Sequence, residues 1–122
     1  MTTGSAPRLA DRAAELTEQL LRHLARLVGD LGITALFKRS VVLSSVAFPF
    51  LADMSPTPDV TPVGALRAVL AEQRIDLARE VYLVVVSTFL ALLGRLIGEL
   101  LVRRMLHEAW PGAFHSDKEH SE

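Results

Sequence analysis

The amino-acid sequence predicts an all-α protein: a compact bundle of about four main helices with a long apolar C-terminal helix, completed by dimerisation. Three observations predict this class. Apolar residues recur at helical spacing along most of the chain, three prolines cluster within residues 53–62, and residues 81–94 form an uncharged run. With 122 residues the chain has the length of one domain. We place that domain at residues 7–112, between a flexible N-terminus at 1–6 and a flexible polar tail at 113–122.

The first helix is predicted from Pro7 to about Leu27. Proline suits the first turn of a helix, and Gly29, Asp30 and Gly32 supply stop signals. Between these limits apolar residues recur every three or four positions, and charged residues occupy the other side. The apolar stripe consists of Leu9, Ala13, Leu16, Leu20, Leu24, Leu27 and Leu31. The pattern indicates an amphipathic helix that buries one face.

A second helix is predicted over residues 34–48. The valines in this segment also suit a strand, which is the alternative interpretation. The helix is favoured by Ser40, Ser44 and Ala47, because their spacing of four and three residues places three small side chains on one helical face. Such a face allows another backbone to approach closely.

A third helix is predicted from Thr61 to about Arg74. Threonine is a good N-cap residue, and Pro62 after it suits the first helical position. The residues before this helix, 53–62, are too rich in proline for regular structure and form the main loop.

The last helix is predicted to begin with Asp76 as its N-cap and to end at Trp110, before a Pro-Gly pair. A continuous helix over residues 76–110 would be about 52 Å long. A compact domain of this size is only about 35 Å across. The helix therefore either bends near Gly94 and Gly98 or projects to join a partner.

The last helix also carries the strongest signal for association. Small residues recur at Ser87, Ala91, Gly94 and Gly98, on one helical face within an apolar segment. A helix that is apolar all round must be buried all round, which three shorter helices can hardly achieve. We therefore predict a dimer interface in which this face meets the same face of a second copy. The small residues of the second helix, Ser40, Ser44 and Ala47, are predicted to belong to the same interface. The predicted burial comes from Val84, Phe89, Leu93, Ile97 and Leu101.

Composition and charge narrow the partners. Half of the residues are hydrophobic, so surplus apolar surface has to be covered by a second copy, another protein, a membrane surface or an apolar ligand. A formal net charge of −1 supplies no broad positive field, so nucleic acid is not expected as a partner. The chain has no cysteine and starts without the basic and apolar pattern of a secretion signal, so the cytoplasm is the expected compartment.

No motif in the chain predicts catalysis, a metal site or a cofactor. The histidines lack neighbouring ligands at metal-binding spacing. The run from His23 to Gly29 resembles the active helix of histidine phosphotransfer domains, in which a histidine precedes a basic residue by three positions, as His23 precedes Arg26 here. Leu27 departs from that family, which has a glycine beside the histidine. The resemblance implies His23 as a phosphoryl acceptor.

The leading functional hypothesis is a non-catalytic helical domain that acts as an adaptor, scaffold or signalling partner and self-associates through its last helix. A binder of an apolar ligand or membrane surface is the first alternative. Histidine phosphotransfer through His23 is the second.

Overall fold

The computed structural model describes residues 6–54 and 60–111, and within these ranges the protein is all-helical. Five α-helices pack against one another. They are α1 (Ala6–Val28), α2 (Asp30–Ser44), α3 (Pro62–Ala71), α4 (Ile75–Ile97) and α5 (Glu99–Ala109), with a 3₁₀ turn at Pro49–Asp53 between α2 and α3. The all-α prediction is confirmed, and the second segment is a helix rather than a strand. The predicted flexible ends lie outside the described residues, except for Ala6, which starts α1.

Two helix pairs are joined by a single glycine each. Gly29 joins α1 to α2 with φ 95° and ψ 150°, and Gly98 joins α4 to α5 with φ 96° and ψ 147°. Any residue with a Cβ atom is strained at such a positive φ, so glycine is required at both joints. The α2 helix consequently starts at Asp30, four residues before the predicted start at Thr34.

The predicted single long helix is therefore two helices. Its expected bend is present at Gly98, whereas Gly94 lies within regular α4. The sequence around both joints is repeated: Arg-Leu-Val-Gly-Asp-Leu at residues 26–31 matches Arg-Leu-Ile-Gly-Glu-Leu at 95–100. Each copy ends a 23-residue helix and starts the next one. The chain thus contains two similar helix–glycine–helix units, linked through α3.

The predicted N-cap residue is confirmed for α3 and is wrong for α4. Thr61 Oγ1 accepts a hydrogen bond from the Gly64 backbone N–H at 3.0 Å, which confirms the predicted N-cap. The N-cap of α4 is Arg74, with no side-chain capping bond. The predicted cap, Asp76, lies inside the first turn, where its Oδ1 accepts a hydrogen bond from Leu77 N–H at 3.0 Å. A carboxylate there still interacts favourably with the helix dipole.

The core lies between α1, α2, α3 and α4. The rings of Phe37 on α2 and Phe89 on α4 meet edge to face with centroids 6.0 Å apart, a favoured geometry for aromatic pairs. Helix α5 returns against α1, where the Trp110 Nε1–H donates to the Leu16 carbonyl oxygen at 3.0 Å. These packing contacts leave α4 covered on one side.

One buried hydrogen bond connects the two long helices. The Thr17 hydroxyl donates to the Ala13 carbonyl oxygen at 2.7 Å, and the Tyr82 hydroxyl lies 2.9 Å from the same Thr17 oxygen. Because the single Thr17 proton is used on Ala13, Tyr82 donates to Thr17. Burial raises the pKa of Tyr82 above its ordinary value.

We expect Tyr82 to ionise at a higher pH in the folded protein than in the urea-unfolded chain. A raised pKa in the folded state adds stability below the unfolded pKa, and this stability is lost as pH rises from about 10. Tyr82 is the only tyrosine, so near-ultraviolet absorbance reports its titration without overlap. Coincident folded and unfolded titration curves would contradict this environment.

Candidate interaction surface

Helix α4 buries one side and exposes an uncharged side. Its buried residues are Ala78, Val81, Val85, Phe89 and Leu93. On the opposite side Leu83, Ser87 and Ala91 are exposed, and Val84, Leu90 and Gly94 beside them are half-buried. We call these last six residues the α4 outer face. The face contains no charged residue, which is unusual for a helix surface in contact with water.

Three of the small residues predicted for the interface are on this outer face, whereas the large residues Phe89 and Leu93 are not. Ser87 and Ala91 are exposed and Gly94 is half-buried, so the small side chains point outward. Phe89 and Leu93 are in the protein's own core, at 2% and 0% exposure. Their assignment to an interface is corrected, since neither can contact a partner without unfolding α4. Val84 keeps its predicted place at the edge of the face.

Of the small residues predicted on one face of α2, some are likewise buried and one is exposed. Ser40 and Ser44 are buried, and their hydroxyls donate to the carbonyl oxygens of Leu36 at 2.9 Å and of Ser40 at 2.8 Å. These serines pack inside the protein and are not surface contacts. Ala47 is exposed beyond the end of α2.

The remaining residues predicted for the interface lie next to the Gly98 joint or beyond it. Gly98 is the turning residue itself and is exposed, and Leu101 belongs to α5. Leu101 therefore does not continue the α4 face. Ile97, the last residue of α4, is half-buried and packs against the core. Geometry thus limits the face to residues 83–94.

Other large apolar side chains are exposed, and two of them, Leu27 and Leu31, differ from the prediction that they belong to the buried stripe of the first helix. Leu83, on the α4 outer face, is 57% exposed, and its position four residues before Ser87 is the signal that could have identified it. The remaining exposed large residues lie at the end of α2, around the two glycine joints and just before α3: Val42, Leu43, Val46, Leu27, Leu31, Leu96, Leu100 and Val60. Leu31 and Leu100 hold equivalent places in the repeated hexapeptide.

Helix α4 also has the length and composition needed to cross a membrane, the one such helix in the described residues. Only 22% of its most apolar 18-residue window is buried inside the protein. Core helices of soluble proteins can meet the same criterion of length and composition. The low burial supports an external apolar contact for α4, whatever its chemistry.

His23 lies in an open groove between α1 and α5. Its Nε2 is 2.9 Å from Glu108 Oε1, and its side chain is 24% exposed. The groove has a volume of about 410 Å³ and is lined by Gln19, Arg22, His23, Arg26, Asp30, Glu108 and Ala109. The Glu108 carboxylate thus contacts Nε2 of the ring, while Arg22 and Arg26 add positive charge to the same groove. The structure brings His23 into a polar contact between helices.

A second open groove lies between α1, α2 and the start of α3. Its volume is about 460 Å³, and its lining consists of Glu18, Leu21, Arg22, Asp30, Ile33, Thr34, Phe37, Thr61, Pro62 and Val63. The floor is apolar and the rim carries three charged residues. Ligand sites usually have such an apolar floor with a few polar groups. If the chain binds an apolar ligand, the first functional alternative, this groove is the expected site. Within the described ranges no group of three or more potential metal ligands occurs.

No known protein family matches the chain, and no curated protein or solved structure matches it either. The surfaces described above are therefore the basis on which function is inferred.

Proposed function

We propose that the chain is a non-catalytic helical interaction domain that self-associates through the α4 outer face. The observation that carries this proposal is the uncharged outer side of α4, with Leu83, Ser87 and Ala91 exposed to water. Such a domain acts as an adaptor, scaffold or signalling partner by bringing copies of itself and their bound proteins together.

The composition of the face suits helix-to-helix contact. Small residues at Ser87, Ala91 and Gly94 allow a second backbone to come close, and Leu83 and Leu90 supply apolar area beside them. Complete transfer of a large apolar side chain from water into an interface stabilises the complex by about 1.5 to 3 kcal/mol. A few such residues on each copy therefore favour association once the entropic cost of binding is met.

We expect Ala91→Glu to weaken the dimer by about a hundredfold or more, because a helix interface would bury a bulky carboxylate among apolar side chains. Size-exclusion chromatography with light scattering measures the change. Ala68→Glu is the matched control, since Ala68 is exposed on α3 and its substitution should leave the dimer unchanged. Gly94→Leu should block the close approach sterically; inside the chain a Cβ at this position makes only ordinary contact, 3.8 Å from Glu99 Cγ.

The same experiment decides between the two classes of partner. A discrete species near twice 13.4 kDa that is lost in Ala91→Glu and kept in Ala68→Glu supports self-association. A monodisperse monomer of the unmodified chain would exclude it at the concentration used. Aggregation that only detergent prevents would instead favour the second candidate, a membrane-surface domain, to which the low burial of α4 also points.

A further inference from the structure

Charged residues lie at both ends of the α4 outer face, with Arg79 and Glu80 before it and Arg95 after it. Glu80 lies one turn before Leu83, and Arg95 follows Gly94 directly. Both side chains are exposed. Among the described residues neither one forms an ion pair. Their Cα atoms are about 22 Å apart along the helix axis at 1.5 Å per residue, with no charge between them on the face.

From this arrangement we infer that two copies of the chain pack antiparallel along α4, with Glu80 of each copy paired with Arg95 of the other. This inference rests on the proposed self-association and specifies its geometry. In an antiparallel pair that aligns these two residues, the twofold axis passes close to Ser87. The dimer then has two interchain ion pairs, one at each end of the apolar contact.

The same alignment places large side chains over small ones. Leu83 of one copy comes level with position 92 of the other, between Ala91 and Gly94, so the largest exposed side chain of the face lies over small residues. At the centre the two Ser87 side chains meet, and their size permits close backbone approach. Shape and charge therefore favour the same register.

A parallel pair would be poorly matched along the same face. Each residue would lie beside its own counterpart, so the two Glu80 carboxylates would repel at one end and the two Arg95 guanidinium groups at the other. Leu83 would crowd Leu83, and Gly94 would face Gly94 across a gap. The antiparallel arrangement removes both repulsions and fills that gap.

Single cysteines distinguish the two orientations, because the natural chain has none. With antiparallel packing, an equal mixture of Leu83→Cys and Gly94→Cys proteins should form a mixed disulfide under mild oxidation. Neither variant alone should form one, since the two Leu83 positions are about 13 Å apart along the axis, beyond the Cα separation of about 7 Å that a disulfide allows. With parallel packing, Leu83→Cys alone would cross-link.

Ser87→Cys separates this inference from the proposed function beneath it. Ser87 meets its counterpart in either orientation, so this variant should cross-link whenever copies associate through α4. No Ser87→Cys cross-link would overturn the self-association itself. A Ser87→Cys cross-link together with a Leu83→Cys homodimer would overturn only the antiparallel geometry. Ala68→Cys on α3 controls for random collision.

Charge reversal supplies a second measurement. Glu80→Arg alone and Arg95→Glu alone should each weaken the dimer about tenfold, because each replaces two exposed ion pairs by two repulsions. The double variant restores both pairs and should recover the original affinity, and raised salt should reduce all these differences. A single reversal without effect would contradict the antiparallel alignment, since in a parallel dimer Glu80→Arg only exchanges one like-charge pair for another.

Discussion

Replacement of Leu93 by alanine is expected to lower the free energy of unfolding by about 2 to 5 kcal/mol. The Leu93 side chain is completely buried, at 0% exposure, and its removal leaves a cavity that close-packed neighbours fill only in part. A loss of this size is a large share of the 5 to 15 kcal/mol, roughly, that stabilises a typical domain. Urea denaturation at one fixed protein concentration measures it, with the slope m as a check that the unfolded state is unchanged.

Leu96→Ala is the matched control for this prediction. Leu96 is the same residue type on the same helix, three positions further on, and it is 61% exposed. Its substitution should change the free energy of unfolding by less than about 0.5 kcal/mol. If Leu93→Ala instead left monomer stability unchanged and weakened the dimer, the original interface assignment of Leu93 would be right and its placement in the core wrong.

The contrast between Leu93 and Leu96 shows where sequence analysis reached its limit. Periodicity located the helices well, because charged and apolar sides alternate clearly on α1, and Thr61 with Pro62 marks the start of α3. On α4 both sides are apolar, so the pattern contains no information about which side faces the core. The structure shows that Phe89 and Leu93 are inside, whereas Leu83 is exposed together with small residues.

The small size of the α2 serines also does not show whether they pack inside the chain or against a partner. Ser40 and Ser44 have the same spacing as small residues at a helix contact, yet their hydroxyls bond to carbonyl oxygens one turn earlier on α2 and are buried there. Serine on a helix commonly makes such bonds. The contacts between distant segments, such as Thr17 with Tyr82 and Trp110 with Leu16, have no local sequence signal at all.

The helix break at Gly98 did have a signal, which is the repeat. The hexapeptide at 26–31 contains Gly29 and Asp30 and predicts a helix end. The similar hexapeptide at 95–100 falls within one predicted long helix that either bends near Gly94 and Gly98 or projects. A comparison of the two would have predicted the same turn at both. An internal repeat is therefore informative even in a chain of 122 residues.

Gly98→Ala is expected to destabilise the protein by about 1 to 3 kcal/mol, the usual cost of a backbone conformation reserved for glycine. Space is not the cause, since a Cβ at Gly98 would meet no atom within 4 Å. The cost arises from φ 96° with ψ 147°, outside the left-handed helical region that asparagine tolerates. Gly98→Asn should therefore be no better than Gly98→Ala. Gly94→Ala, within regular helix, should instead stabilise the monomer by up to about 1 kcal/mol.

The fluorescence of Trp110, the only tryptophan, separates two ways in which Gly98→Ala can respond. If the joint keeps its shape under strain, Trp110 keeps its hydrogen bond to the Leu16 carbonyl and its emission is unchanged while the urea midpoint falls. If alanine lets α4 and α5 join into one straight helix, α5 leaves α1, the Glu108 contact with His23 is lost, and the emission shifts to the red. Unchanged stability with unchanged emission would contradict the requirement for glycine, because the structure gives alanine no unstrained conformation that preserves this turn.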